Sequence, residues 1–201
     1  MAQGFLDRLV TPAVAAAQAR YFGHAMIANS GEDSAASDPL GEDERGFIAT
    51  RDSFYMATVS ESGWPYIQHR GGRPGFLRVL GPTSLAFADY KGNRQMLSTG
   101  NLATQAHVSL FLMDYPQRTR LKILGHARVV DAREHPELVE QLAEPVDRRL
   151  VERLFLIDVV SFDWNCPKYI TPRYTADEVA EAVAPLRARI AALEAQLNAH
   201  T

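Results

Sequence analysis

The stretch from Trp64 to Asn101, WPYIQHRGGRPGFLRVLGPTSLAFADYKGNRQMLSTGN, decides how this chain is read. It sets Gln68-His69-Arg70 at the end of one short apolar strand and Asp89-Tyr90-Lys91-Gly92-Asn93-Arg94 at the end of another. A glycine-rich turn, Gly71 to Gly75, lies between them. Both strand ends offer cations, amides and exposed backbone to something anionic. The gathering of Arg70, Arg73, Lys91 and Arg94 stands out in a chain of formal net charge -3, and it points to a phosphate-bearing cofactor.

With 201 residues, 46% of them hydrophobic, the chain can bury one substantial core, so one domain with appendages is expected. The negative balance argues against a general nucleic-acid binder, which usually carries a basic face. Cys166 is the sole cysteine, which excludes an intrachain disulfide and a thiolate-rich metal site and agrees with a reducing cytoplasm. The Ala-rich run Leu9 to Ala19 is broken by Pro12 and Gln18, so neither a signal peptide nor a membrane span is read there.

Outward from the deciding stretch, the pattern divides the chain into an N-terminal helix and polar arm (1–46), a β-rich domain (47–174) and a C-terminal helix (175–201). Phe5 to Ala28 reads as a helix. The polar run NSGEDSAASDPLGEDERG that follows reads as a mobile linker or an arm laid over the surface. Glu42, Asp43 and Glu44 open a short helix into Phe47 and Ile48, since acidic residues suit a first turn. Strands are expected over Phe54 to Val59, Trp64 to Arg70, Phe76 to Leu80, Leu85 to Asp89, His107 to Met113, Arg118 to Val130 and Leu154 to Val160. A short helix is expected from Arg94 to about Thr104. Many short strands and tight turns suggest a small antiparallel barrel or sandwich.

At the C-terminus, Thr175-Ala176-Asp177-Glu178 has capping-box spacing. After it Val179, Val183, Leu186, Ile190, Leu193 and Leu197 recur at steps of four and three. Three heptads are marginal alone, so this seam needs a partner surface: its own barrel or a dimer mate.

The chemistry-bearing residues gather around the same stretch. In Lys91-Gly92-Asn93-Arg94, Gly92 frees the turn, Asn93 can cap the following helix, and Arg94 offers a charged fork to phosphate. Arg118, Arg120 and Lys122 alternate onto one strand face, which is either a solvated sheet surface or the wall of an anion cleft. Gly71 to Gly75 lacks the dinucleotide and triphosphate-loop fingerprints, and alone it is a turn. No nucleophile elbow and no metal-ligand spacing of histidines is present. His69 stands out by its place beside the proposed anion site, while Cys166 reads as a buried, inert thiol.

The order of Gly-Trp-Pro, Gln-His-Arg-Gly-Gly, Phe-Ala-Asp-Tyr-x-Gly-Asn-Arg, a short helix with Ser98 and Asn101, Val-Ser-Leu-Phe-Leu and Leu-Gly-His-Ala-Arg resembles the pyridoxamine 5'-phosphate oxidase-related, FMN-binding split-barrel proteins over about Phe47 to Tyr169. The resemblance implies a mainly β fold, a six-stranded antiparallel split barrel with flanking helices, and a homodimer with FMN at the interface. It implies that Gln68, His69 and Arg70 lie against the flavin and its phosphate, that Ala88 and Asp89 lie at the ring system, and that Arg94 and Gln95 grip the phosphate. The family often has lysine where Gln95 stands. Ser98 and Asn101 belong to the helix that flanks the phosphate, Arg120 falls where a flavin-facing polar group is expected, and Lys91 and Asn93 join the same cofactor site by their place in the Lys91 to Arg94 turn. The segment that closes over the vitamin substrate in true pyridoxamine phosphate oxidases is replaced here by Trp164 to Tyr169 and the heptad helix, so the substrate does not carry over. The expected function is a cytoplasmic FMN-dependent oxidoreductase. A non-catalytic FMN or haem binder, and a deazaflavin-dependent reductase on the same barrel, are the alternatives.

Overall fold

The computed structural model describes residues 3–25, 36–164 and 167–199. Seven strands form one antiparallel sheet: β1 (Ser53–Val59), β2 (Pro65–Gly71), β3 (Arg78–Gly81), β4 (Ser84–Tyr90), β5 (His107–Asp114), β6 (Thr119–Asp131) and β7 (Val151–Trp164). They are ordered β2-β1-β5-β6-β7-β4-β3. Every segment read as a strand is one, and the count is seven rather than the six the resemblance implied. The sheet does not close: β2 and β3 end it and are not hydrogen-bonded to each other. It curls far enough for Arg70 on β2 to meet Asp89 on β4 across the split, which gives a split-barrel-like fold.

Alternation along β1, β5 and β6 sends Phe54, Met56, Leu110, Leu112, Leu121 and Ile123 inward, all at 1% exposure or less. The aromatic centre of this core is Phe87 stacked on Phe155 at 4.7 Å, with Phe54 edge-on to Phe87 at 5.4 Å. Strand β4 is buried on both faces because a second cluster covers its outer side. There Val139 and Leu142 of α5 (Pro136–Leu142) pack with Ala86, Ala88 and Leu154. The sequence reading missed α5, although Pro136 at the first turn, Glu137 behind it and the Val139/Leu142 spacing are helix signals.

Gly125 sits at a register shift in the β6–β7 pairing, where a Cβ would lie 2.8 Å from the Asp158 carbonyl oxygen and 2.9 Å from Ile157 Cγ2. Gly125→Ala is therefore expected to cost about 1–3 kcal/mol by overpacking, read as a lowered denaturant midpoint. An unchanged midpoint would show that the bulge relaxes freely.

Several elements differ from the sequence reading for local reasons. The N-terminal helix is two helices, α1 (Gln3–Leu9) and α2 (Pro12–Phe22), because Pro12 lacks an N–H and starts a new helix under the Thr11 cap. The second helix stops at Phe22, short of the expected Ala28, because Gly23 takes a left-handed conformation at φ 79° and caps it through its N–H to the Ala19 carbonyl; residues 26–28 lie outside the described residues. Of the polar arm, the described part lies on the sheet edge: the Asp38 N–H donates to the Val160 carbonyl and the Leu40 N–H to the Pro82 carbonyl. Helix α3 (Glu42–Ala49) begins as expected. The carboxylate of Glu44 accepts from the Gly41 N–H at 2.8 Å and from Trp164 Nε1 at 2.6 Å, tying the helix to the end of β7.

Helix α6 (Ala176–Asn198) opens with the capping box, Thr175 and Glu178 bonding reciprocally. Among the described residues, no helix is long and apolar enough to cross a membrane. Cys166 lies outside the described residues.

Candidate functional site

A cleft of about 220 Å³ opens where β2, the loop after β4 and α4 (Leu97–Thr104) converge. Of the residues singled out in the sequence, Gln68, Arg70, Asp89, Asn93, Arg94, Gln95 and Ser98 line it. Strand alternation selects Gln68 and Arg70 and rejects their neighbour His69, which lies on the outer face with its ring 5.5 Å from that of Tyr55. Lys91 is exposed on the loop, and Ala88 faces the α5 cluster. Asn101 is turned to β1, where its Nδ2 donates to Thr58 Oγ1 at 2.9 Å.

The loop into α4 is shaped by its backbone. Arg94 and Met96 both take left-handed conformations, with φ of 61° and 56°. For residues with a Cβ each costs about 1–3 kcal/mol, and such strain collects at ligand sites. The helix consequently begins at Leu97 rather than Arg94. Asn93 Oδ1 accepts from the Gln95 N–H at 3.1 Å, so Asn93 closes a turn before the helix and does not cap it. Met96 occupies the cap position and supplies no side-chain hydrogen bond, which leaves the first amides of α4 without a capping side chain. Ser98 is 2% exposed and donates from Oγ to Gln68 Oε1 at 2.8 Å, locking the helix to β2.

The cations divide unequally. Arg70 Nη1 lies 2.6 Å from Asp89 Oδ1, and its guanidinium sits over the Phe155 and Phe87 rings at 4.8 and 5.4 Å. Burial pulls the Arg70 pKa below the ordinary arginine value, against the opposing attraction of Asp89. Its Nε is buried and without a hydrogen-bond partner. Arg153, directly opposite Asp89 in the β4–β7 register, holds the other carboxylate oxygen at 2.8 Å and Glu152 at 3.0 Å. Arg94 lines the same cleft and makes no ion pair among the described residues. Arg153 was missed because the expected strand began at Leu154. Its signal, an opposite charge across from Asp89, exists only once strand pairing is known.

Arg73 belongs elsewhere, to a cleft of about 370 Å³ between the Gly71 to Gly75 turn and the segment after α5. That turn is pinned rather than loose: the Gly72 and Gly75 N–H groups donate to the Asp52 and Arg51 carbonyls. Gly75 at φ 77° has room for no Cβ against the Ala49 carbonyl. Tyr90 borders both clefts. Its phenol is held above the ordinary tyrosine range, first by burial and then by Asp147 and Glu144.

The trio expected on one face of β6 is also divided. Arg118 stands in the turn at φ 53°, before the strand begins. Lys122 pairs with Asp163 at 2.8 Å beneath the Phe5 ring of α1. Arg120 remains on the outer face, 5.7 Å from the Phe111 ring centre, with a buried Nε that has no partner.

The fold is similar to that of a solved pyridoxamine 5'-phosphate oxidase-like protein from Lactobacillus delbrueckii. The two share 19% identity and a TM-score of 0.50, over 63% of this chain and 95% of that one. A conserved hypothetical protein of Mycobacterium tuberculosis aligns at 16% identity over 70% and 95% of the two chains, with a TM-score of 0.49. An F420 reductase aligns at 16% over 62% and 98%, with a TM-score of 0.44. No curated protein sequence matches the chain. The sequence profile of pyridoxamine 5'-phosphate oxidase matches residues 40–158, and this chain belongs to that family.

Proposed function

We propose that the protein is a homodimeric FMN-binding oxidoreductase of the cytoplasm, with the flavin phosphate held in the cleft between β2, the β4–α4 loop and α4. The observation that carries this reading is Arg94: a guanidinium with no ion-pair partner among the described residues, on a strained loop that runs into an uncapped helix N-terminus. Arg70 and Arg153 are balanced by Asp89 and Glu152, so Arg94 and the amides of Leu97, Ser98 and Thr99 provide the net attraction for an anion. Because Ser98 donates to Gln68 Oε1, the Gln68 Nε2 is left as a donor toward a ligand.

The cleft's 220 Å³ is below the roughly 300–1,000 Å³ that encloses a small ligand. It therefore suits one end of a flavin nucleotide and leaves the rest to be covered by another surface. The outer face of β1 and β2 supplies a surface for a second copy, with Tyr55 and Ile67 at 41% and 65% exposure. Arg120, whose buried Nε lacks a partner on that side of the sheet, is the polar group placed to face a flavin ring there. FMN, when bound, supplies hydride and electron transfer; the chain supplies position and charge.

The visible spectrum of the purified protein, followed by titration with FMN and riboflavin, tests this reading. An FMN spectrum and much weaker riboflavin binding are expected, since riboflavin lacks the phosphate that Arg94 would hold. A Soret or deazaflavin band, or equal affinity for the two flavins, overturns it. Turnover with reduced nicotinamides then separates an enzyme from a binder.

A further inference from the structure

We propose that α6 docks against α6 of a second copy of this chain as a parallel, in-register, two-stranded coiled coil. The structure leaves the helix off its own barrel: none of its residues is buried, and Val179, Leu186, Ile190 and Leu193 are 48%, 64%, 55% and 47% exposed. Over 23 residues, about 34 Å of helix, these side chains return to one face. The barrel is therefore not the surface the seam was built for.

The residue types choose the partner. Steps of four and three place Val183, Ile190 and Leu197 at the a positions and Val179, Leu186 and Leu193 at d, so the two central heptads pair Val183 with Leu186 and Ile190 with Leu193. β-branched side chains at a with leucine at d favour two parallel strands. Pro185 falls at c, on the outer side, so the hydrogen bond it removes lies away from the seam.

The flanking charges choose the orientation. Arg189 is at g and Glu194 at the following e. In a parallel, in-register pair, Arg189 of each helix faces Glu194 of the other, giving two attractive contacts by symmetry. An antiparallel pair with full overlap matches g to g and e to e, which sets Arg189 against Arg189 and Arg187 against Arg187. The charge pattern thus opposes the antiparallel arrangement on both flanks. Three heptads associate weakly alone, but the segment 165–175 tethers each helix to its barrel, so any barrel dimer raises the effective concentration of the pair. The pairing itself does not depend on flavin.

The test uses the full chain with Cys166→Ser, which removes the sole cysteine, and with Leu186→Cys or Leu193→Cys added singly. Under mild oxidation both variants are expected to form disulfide-linked dimers, because equivalent d positions meet only in a parallel, in-register pair. Independently, Arg189→Glu should weaken association roughly 3- to 10-fold by sedimentation, and Arg189→Glu with Glu194→Arg should restore it. Cross-linking at neither position, or at one alone, in protein with native helix content overturns the proposal. So does a charge reversal that leaves association unchanged, an arm that remains decisive if a cysteine variant misfolds. A dimer that forms, binds FMN and gives no cross-link would retain the proposed flavin site while rejecting the coiled coil.

Discussion

Asp89→Ala is expected to lower stability by about 3–5 kcal/mol, the loss seen when one member of a buried ion pair is removed and its partner charge stays behind. The size follows from burial: the side chains of Asp89, Arg70 and Arg153 are 12%, 13% and 18% exposed, and one carboxylate serves both guanidiniums. Arg70 comes from the end strand β2 and Arg153 from β7, so Asp89 joins the two sides of the split. Without it, Arg70 is left beside Phe87 and Phe155 with no compensating charge, facing an Arg153 that keeps only Glu152. Urea unfolding measures the effect. Arg70→Met in the same background should recover part of the loss, because the stranded charge is then gone. A change below about 1 kcal/mol would mean that water already screens the cluster and that the split is held by packing alone.

Arg94→Ala should weaken FMN binding by about 1.5–3 kcal/mol, roughly 10- to 150-fold, the range of a hydrogen bond to a charged group. The fold should survive, because Arg94 is exposed on a loop and anchors nothing else among the described residues. The loss should be specific to phosphate: riboflavin affinity should be the same in the variant and the parent. Calorimetric titration of both flavins into both proteins gives the four numbers needed. If the variant keeps FMN at parental affinity, the phosphate is held elsewhere and the cleft loses its assigned role. Removing a left-handed arginine also relieves no strain, since alanine at φ 61° is no better placed. A stability gain is therefore not expected.

Much of this was open to inspection in the residues themselves. The alternation of Phe54 to Val59 and His107 to Met113, the Gly-rich turns, and the acidic start of α3 are statements about neighbours a few positions apart. Each appears in the fold where it was expected. The capping box at Thr175 is of the same kind. The boundary errors came from conflicts between local rules: Pro12 against an Ala-rich run, and Asn93 as a turn former against Asn93 as a helix cap.

The site was legible as a neighbourhood and illegible as a set of contacts. Gln68-His69-Arg70 was correctly placed at a strand end, yet three consecutive residues cannot share a face, and His69 turned outward. Arg70 and Asp89, nineteen positions apart, were both assigned to a ligand, and they bind each other. Arg153, sixty-four positions beyond Asp89, was unseen.

Local chain chemistry thus determined which segments are strands and helices, that one end of the sheet is rich in cations, and that α6 carries an unsatisfied apolar seam. These depend on torsional preference and side-chain periodicity, which act within a few residues. Only the folded chain decided which arginines of the cleft are neutralised and which makes no ion pair among the described residues, the order in which the seven strands pair and that their sheet stays open, and that the α6 residues stay unburied on their own barrel. Those outcomes depend on register and on charges brought together across the split, and no short stretch of sequence contains both members of such a pair.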